Sequence, residues 1–124
     1  MISKLLENIS TIYIAYGATD FRKQINALCA EIRLKFNLSP CKNAAFIFCN
    51  KKRNSIKVLC YDKNGFVLAQ KTLLDGTKMK FQWPRNSDEL KIIDKRQLEW
   101  LLSGLKIEQK SSFKDIEIDL ENCI

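Results

Sequence analysis

Apolar residues along the chain switch between two periods, and the switches mark its elements. Ile2, Leu5, Leu6 and Ile9 recur at helical spacing, which predicts a short N-terminal helix that must dock to be stable. Ile12–Tyr16 is rich in β-formers and stops at Gly17, which predicts a strand. Phe21, Ile25, Leu28, Cys29, Ile32 and Phe36 then form one stripe, with Arg22, Lys23, Asn26, Arg33 and Lys35 outside it. This is the clearest helix of the sequence. Thr19 or Asp20 is placed to cap its start, and Asn37 and Pro40 end it.

Ala44–Cys49 is apolar throughout, the pattern of a strand covered on both faces. Ser55–Tyr61 and Phe66–Leu73 are further strand candidates. Residues 50–54 turn between the first and second. Asp62-Lys63-Asn64-Gly65 turns between the second and third, where Asn-Gly is expected to supply left-handed backbone. The three strands make an antiparallel meander of two hairpins.

After a looser stretch, Leu90–Ile93 reads as a short strand. Asp94 and Gln97 then have capping-box spacing. The helix from Lys95 puts Leu98, Leu101, Leu102 and Leu105 on one face, and Gly104 suits a left-handed cap. Phe113–Leu120 alternates Ile116, Ile118 and Leu120 with Asp115, Glu117 and Asp119, which is strand periodicity. The expected class is α+β: an antiparallel sheet of about four to six strands packed against two main helices. One domain is expected over residues 1–106, with 107–124 as an acidic C-terminal tail or edge strand.

Composition supports a folded chain. Of 124 residues, 46% are hydrophobic and 28% charged, too apolar for disorder. No apolar run approaches the roughly 18–20 residues that span a bilayer, so no membrane association is expected. Residues 1–7 lack a long apolar segment and carry an acid early, which predicts a cytoplasmic location. The five cysteines, at 29, 41, 49, 60 and 123, contain no C-x-x-C and mostly sit in apolar runs; reduced, mostly buried thiols are expected.

Charge changes the picture more. The formal net charge is +7, and it is uneven. Residues 1–104 hold 18 Lys+Arg against 9 Asp+Glu, whereas residues 105–124 hold 3 against 5. A basic body attracts polyanions because neutralised phosphates release counterions. Solubility alone is the other reading of such a surface.

Several chemistries are excluded. Without histidine there is no Ser-His or Cys-His pair. Neither G-x-x-x-x-G-K-[ST] nor G-x-G-x-x-G occurs, so no phosphate loop is expected; with no histidine and no clustered cysteines, no structural metal site and no cofactor are expected either. Asp20, Asp62, Asp75 and Glu99 are the acids worth considering for magnesium, and each has a structural reading at a helix start, a turn or a helix surface.

Three basic features remain. Arg22 and Lys23 fall in what the pattern predicts to be a first helical turn, where cations are disfavoured. Either they meet an anion there, with Asp20 orienting them, or Asp20 forms an internal ion pair with one of them. Lys51-Lys52-Arg53 occupies a hairpin tip, with Lys57 and Lys71 on the strands that follow. It reads as a phosphate contact or as a solvated turn. Phe81 and Trp83 stand among Lys78, Lys80 and Arg85; they can stack on bases or on a partner, or cover the edge of the core.

Taken in order, the motifs are Gly17-x-Thr19-Asp20-x-Arg22-Lys23, Phe46-x-Phe48-x-Asn50-Lys51-Lys52 and Ile56-Lys57-x-Leu59-x-Tyr61-Asp62-x-x-Gly65. Lys71-x-Leu73, Phe81-x-Trp83-Pro84 and Leu98-x-x-Leu101-Leu102-x-Gly104 follow. This series resembles the TnpB-type accessory protein, the second-reading-frame product of bacterial insertion sequences of the IS-sixty-six type, over about residues 10–105. The family usually has proline where Ala18 stands and often methionine where Phe21 stands. The resemblance implies an accessory role in transposition and no enzymatic activity. DNA is the expected partner, contacted through Arg22, Lys23, Lys51, Lys52, Arg53, Lys57 and Lys71. The alternative is an adaptor for the element's transposase, working through the Trp83 edge or the Leu98–Leu105 helix.

Overall fold

The computed structural model describes residues 1–109. Its elements are α1 (Ile2–Leu5), β1 (Thr11–Ala15), α2 (Ile25–Leu34), β2 (Ala44–Cys49), β3 (Ser55–Asp62), β4 (Gly65–Thr72), β5 (Leu90–Ile93) and α3 (Lys95–Leu102). The sheet has five strands in the order β4-β3-β2-β1-β5. The meander β2-β3-β4 and the strand β5 are as the pattern predicts. One feature differs: β1 pairs with β2 in parallel, and β5 closes antiparallel on the far side of β1. Period-2 alternation says which face a residue occupies but not which way its strand runs.

Two cores result. On one face Ile12, Ile14, Ala45, Ile47, Ile56 and Val58 pack with Leu6, Phe81, Trp83, Leu98, Leu101 and Ile107. On the other, Ala15, Phe46, Phe48 and Leu59 pack with Leu28, Cys29 and Ile32 of α2. All six residues of β2 are therefore buried, which accounts for its unbroken apolar run. Cys29, Cys49 and Cys60 are buried free thiols, and Cys41 is exposed. Burial raises the Cys49 and Cys60 thiols to about 11. No helix of the described residues is long and apolar enough to cross a membrane.

The second half of the chain follows its local signals closely. Asp94 and Gln97 form the capping box of α3. At its other end the Gly104 N–H donates to Leu101 and the Leu105 N–H to Trp100, a left-handed termination with Gly104 at φ +81°. A Cβ on Gly104 would also lie 3.0 Å from the Met79 side chain, which would have to shift by a few tenths of an ångström, so the positive φ is the stronger demand for glycine. Leu105 lies beyond the helix and is exposed. Ile107 is buried and its carbonyl accepts from Gln97, so the packed body reaches past residue 106. The alternating segment Phe113–Leu120 lies outside the described residues.

Two local expectations are corrected. The helix expected from Asp20 begins at Ile25 instead, with Gln24 as its N-cap. Phe21 still packs on the α2 side of the sheet, but from a turn. In the β3–β4 turn the left-handed residue is Lys63, φ +54°, rather than Asn64 or Gly65. The ladder closes at Asp62↔Gly65, which leaves Lys63 and Asn64 as the loop and moves the special position back by one.

Phe81 and Trp83 prove to be core residues, 0% and 4% exposed. The Trp83 indole N–H donates to the Ala15 carbonyl at 2.7 Å, tying the 77–84 segment to the end of β1. Neither ring is available to stack on a base or a partner. Trp83→Phe leaves that buried carbonyl without its donor, so a loss of about 1–3 kcal/mol is expected. The measurement is the denaturant midpoint, shifted at unchanged slope.

Candidate nucleic-acid interface

The parallel pairing of β1 and β2 brings two sequence-distant segments to one end of the sheet. Both strands finish there, so the 16–24 loop and the 50–54 turn emerge side by side. The Thr19 N–H donates to the Cys49 carbonyl across this junction. Such ends of adjacent parallel strands are where open α/β sheets bind ligands. β4 finishes, and β5 begins, at the same end.

The 16–24 loop is held from below. Asp20 closes a turn by accepting from the Arg22 N–H at 3.0 Å, and its carboxylate pairs with the Arg22 guanidinium at 2.7 Å. Lys57 reaches up from β3 and donates to the carbonyls of Phe21 and Lys23, at 2.9 and 2.8 Å, with its ammonium over the Phe21 ring. Lys57 is 2% exposed, and desolvation lowers its pKa. It therefore leaves the set of phosphate contacts: it is buried, and two of its three donors are held by the loop. These bonds hold the Phe21 and Lys23 carbonyls toward Lys57, and together with the Asp20–Arg22 turn they brace a non-helical backbone up to Gln24.

Of the two readings of this segment the internal ion pair is the one that forms: Asp20 pairs with Arg22 and orients it alone. Lys23 turns back and pairs with Glu31 of α2, so the expected Arg22–Lys23 pair is split. Both cations precede α2 and stand in a loop, outside its first turn. The Arg22 side chain is 91% exposed and projects from the loop. Hydrogen bonds from Arg22 hold the Asp20 carboxyl at about 2, below its usual 3.8. Since the folded value is depressed, the pairing stabilises the loop above pH 3.8 and is lost as pH falls through about 2. A carboxyl-carbon NMR titration of Asp20 should therefore show a midpoint near 2; a midpoint near 3.8 would mean the pair does not form in solution.

The 50–54 turn is equally fixed. The Asn50 side-chain carbonyl accepts from the N–H groups of Asn54 and Ser55, and Arg53 takes a left-handed φ of +58°. Lys51 and Lys52 are exposed on the tip, and Arg53 is half-buried. Arg22, Lys51 and Lys52 share the lining of one shallow depression with Asp20 and Asn50. Lys71, exposed on the edge strand β4, pairs in register with Ile56 near the same end.

Sequence reasoning missed Arg85. It stands near the start of β5, and its guanidinium donates to the carbonyls of Asn50 and Lys51, at 2.8 and 3.0 Å. Beyond it lies a cleft of about 360 Å³ whose walls include Tyr16, Arg53, Trp83, Pro84, Arg85, Lys106 and Glu108. The only signal in the sequence was that Arg85 follows Trp83-Pro84 in a basic stretch. Its contact with the tip is 34 to 35 residues away and invisible to local pattern.

Among the described residues no group of three or more His, Cys, Asp or Glu is placed to hold a metal ion. Asp20 and Asp62 stand at opposite ends of the sheet. The adaptor surfaces named above are also used internally: Trp83, Leu98 and Leu101 are buried in the core.

The fold and this end of the sheet define a small α+β protein that gathers cations on loops carried by a rigid sheet. The chain belongs to the IS66 Orf2-like family, whose model matches residues 10–112, which makes it an insertion-sequence accessory protein. It is also similar to an uncharacterised protein of Sinorhizobium fredii, y4hO, with 31% identity over 94 residues, 76% of this chain and 79% of that protein. No solved structure matches it.

Proposed function

We propose that the protein serves insertion-sequence transposition as a non-catalytic accessory factor that binds DNA through this basic end. One observation carries the reading: the parallel β1–β2 pair gathers Arg22, Lys51 and Lys52 around a single depression, with Arg53 and Arg85 beside it. Exposed cations on a rigid frame suit a phosphate backbone. Lys71 extends the track along β4. Lys23 stays near it but engaged with Glu31, so its contribution is the smaller.

The test is fluorescence anisotropy of labelled DNA, both element-end and random sequence, across a salt series. Binding at low salt that weakens steeply as salt rises is expected. No binding at low salt would sink the proposal. Capture of the element's transposase, unchanged by reversing the charges of Lys51–Arg53 and independent of DNA, would favour the adaptor instead.

A further inference from the structure

The cleft beside the basic tip has a different character from the tip itself. Arg53, Arg85 and Lys106 stand on its walls, but Tyr16, Trp83, Pro84 and Ile107 give it an apolar interior, and Glu108 adds a carboxylate. Four separated segments build it: the end of β1, the 50–54 turn, the 82–86 stretch and the chain after α3. An anion alone would not explain this lining. A phosphate gains nothing from a phenol ring and a proline, and Glu108 repels it. A nucleobase uses all of these: an aromatic ring and a proline to lie against, and an acceptor for an exocyclic amino group.

The volume, about 360 Å³, lies at the small end of ligand cavities, of order 300–1,000 Å³. That suits one nucleotide and excludes a stacked base pair with its partner strand. Position supplies the rest. Arg85 lines the cleft while gripping the Asn50 and Lys51 carbonyls, and Arg53 of the same turn also lines it, so the cleft adjoins the tip that carries Lys51 and Lys52.

We infer that the cleft receives an unpaired nucleotide of the DNA, its base against Tyr16 and Pro84 and its flanking phosphates on Arg53, Arg85 and the 50–54 tip. This rests on the DNA-binding reading above. The protein then prefers single strands, or duplexes with a single-stranded overhang, over blunt duplexes. Duplex interiors bind through the tip alone, because entering the cleft requires unstacking a base.

The experiment compares a labelled 12-nucleotide single strand, a blunt duplex of the same length and a duplex with a short overhang, by anisotropy at low salt. The single strand and the overhang are expected to bind about tenfold more tightly than the blunt duplex. Tyr16→Ala should erase that preference, weakening single-strand binding about fivefold or more and leaving blunt-duplex binding unchanged; Tyr16→Phe should retain it. If Tyr16→Ala fails to fold, Glu108→Lys at an exposed position gives the second reading, altering base preference on the single strand without reducing duplex affinity. Equal binding of all three DNAs, or a preference untouched by either variant, overturns the inference while DNA binding stands. Displacement of the strand by an equal concentration of free dCMP also overturns it, by making the ligand a free nucleotide. No binding of any DNA overturns the parent reading as well.

Discussion

Replacing Arg22, Lys51 and Lys52 together with alanine should weaken DNA binding at low salt by roughly tenfold or more, and leave the protein as stable as before. Each lost phosphate contact should also reduce the salt slope by about 0.9. The two effects separate because these side chains project from the sheet end, and exposed substitutions usually change stability by less than about 0.5 kcal/mol. The Arg22–Asp20 pair is exposed on both sides and contributes little to that balance. The check is a salt titration of affinity alongside a thermal melt. An unchanged slope in a folded triple variant would mean that the phosphates lie elsewhere.

Lys57 should behave in the opposite way. Lys57→Ala removes an aliphatic stem from the sheet face and strips the Phe21 and Lys23 carbonyls of their shared donor. A destabilisation of about 2–4 kcal/mol is expected from the cavity and the lost charge-assisted bonds. Lys57→Met keeps most of the volume and abolishes the cost of burying an ammonium, so its loss should be smaller, about 1–2 kcal/mol. Both variants free the 16–24 loop. DNA affinity should therefore fall although Lys57 touches no phosphate, and most of that fall should come through Arg22. Equilibrium unfolding measures the first effect. A double-mutant cycle with Arg22→Ala measures the second, and strict additivity would show that Lys57 does not hold the loop for binding.

These two lysines show where the sequence could be read and where it could not. Lys51 sits in a polar turn between apolar strands, and its exposure follows from that pattern. Lys57 occupies a position-2 alternation on β3, between Ile56 and Val58, so its facing was legible. That its face lies under a loop 34 to 36 residues away was not. The same contact misdirected the reading of α2: Phe21 fits the apolar stripe by spacing, and it is indeed packed with α2's residues, but tertiary bonds hold its backbone in a turn. The Asp94–Gln97 box and the Gly104 termination close within a few residues and were read correctly, whereas the Asp62–Gly65 turn, equally local, was read one residue out. The parallel β1–β2 register and the seat of Arg85 depend on contacts between distant segments, and the Lys23–Glu31 pair on how the 16–24 loop folds back on α2, none of which a local period encodes.

The basic end is assembled from the 16–24, 50–54 and 82–86 segments, which share an address only once β1 has been inserted between β2 and β5. No contiguous peptide of the chain carries it, and the unfolded chain does not possess it. A polyanion that occupies it accordingly binds the native state more tightly than the unfolded chain, which keeps the charge but not the arrangement, and mass action then couples occupancy to folding. At a hundred times its Kd such a ligand adds at most about 2.7 kcal/mol to the unfolding free energy, less whatever its affinity for the unfolded chain removes. The protein should therefore be hardest to unfold when it is engaged, and its melting temperature becomes a reporter of occupancy.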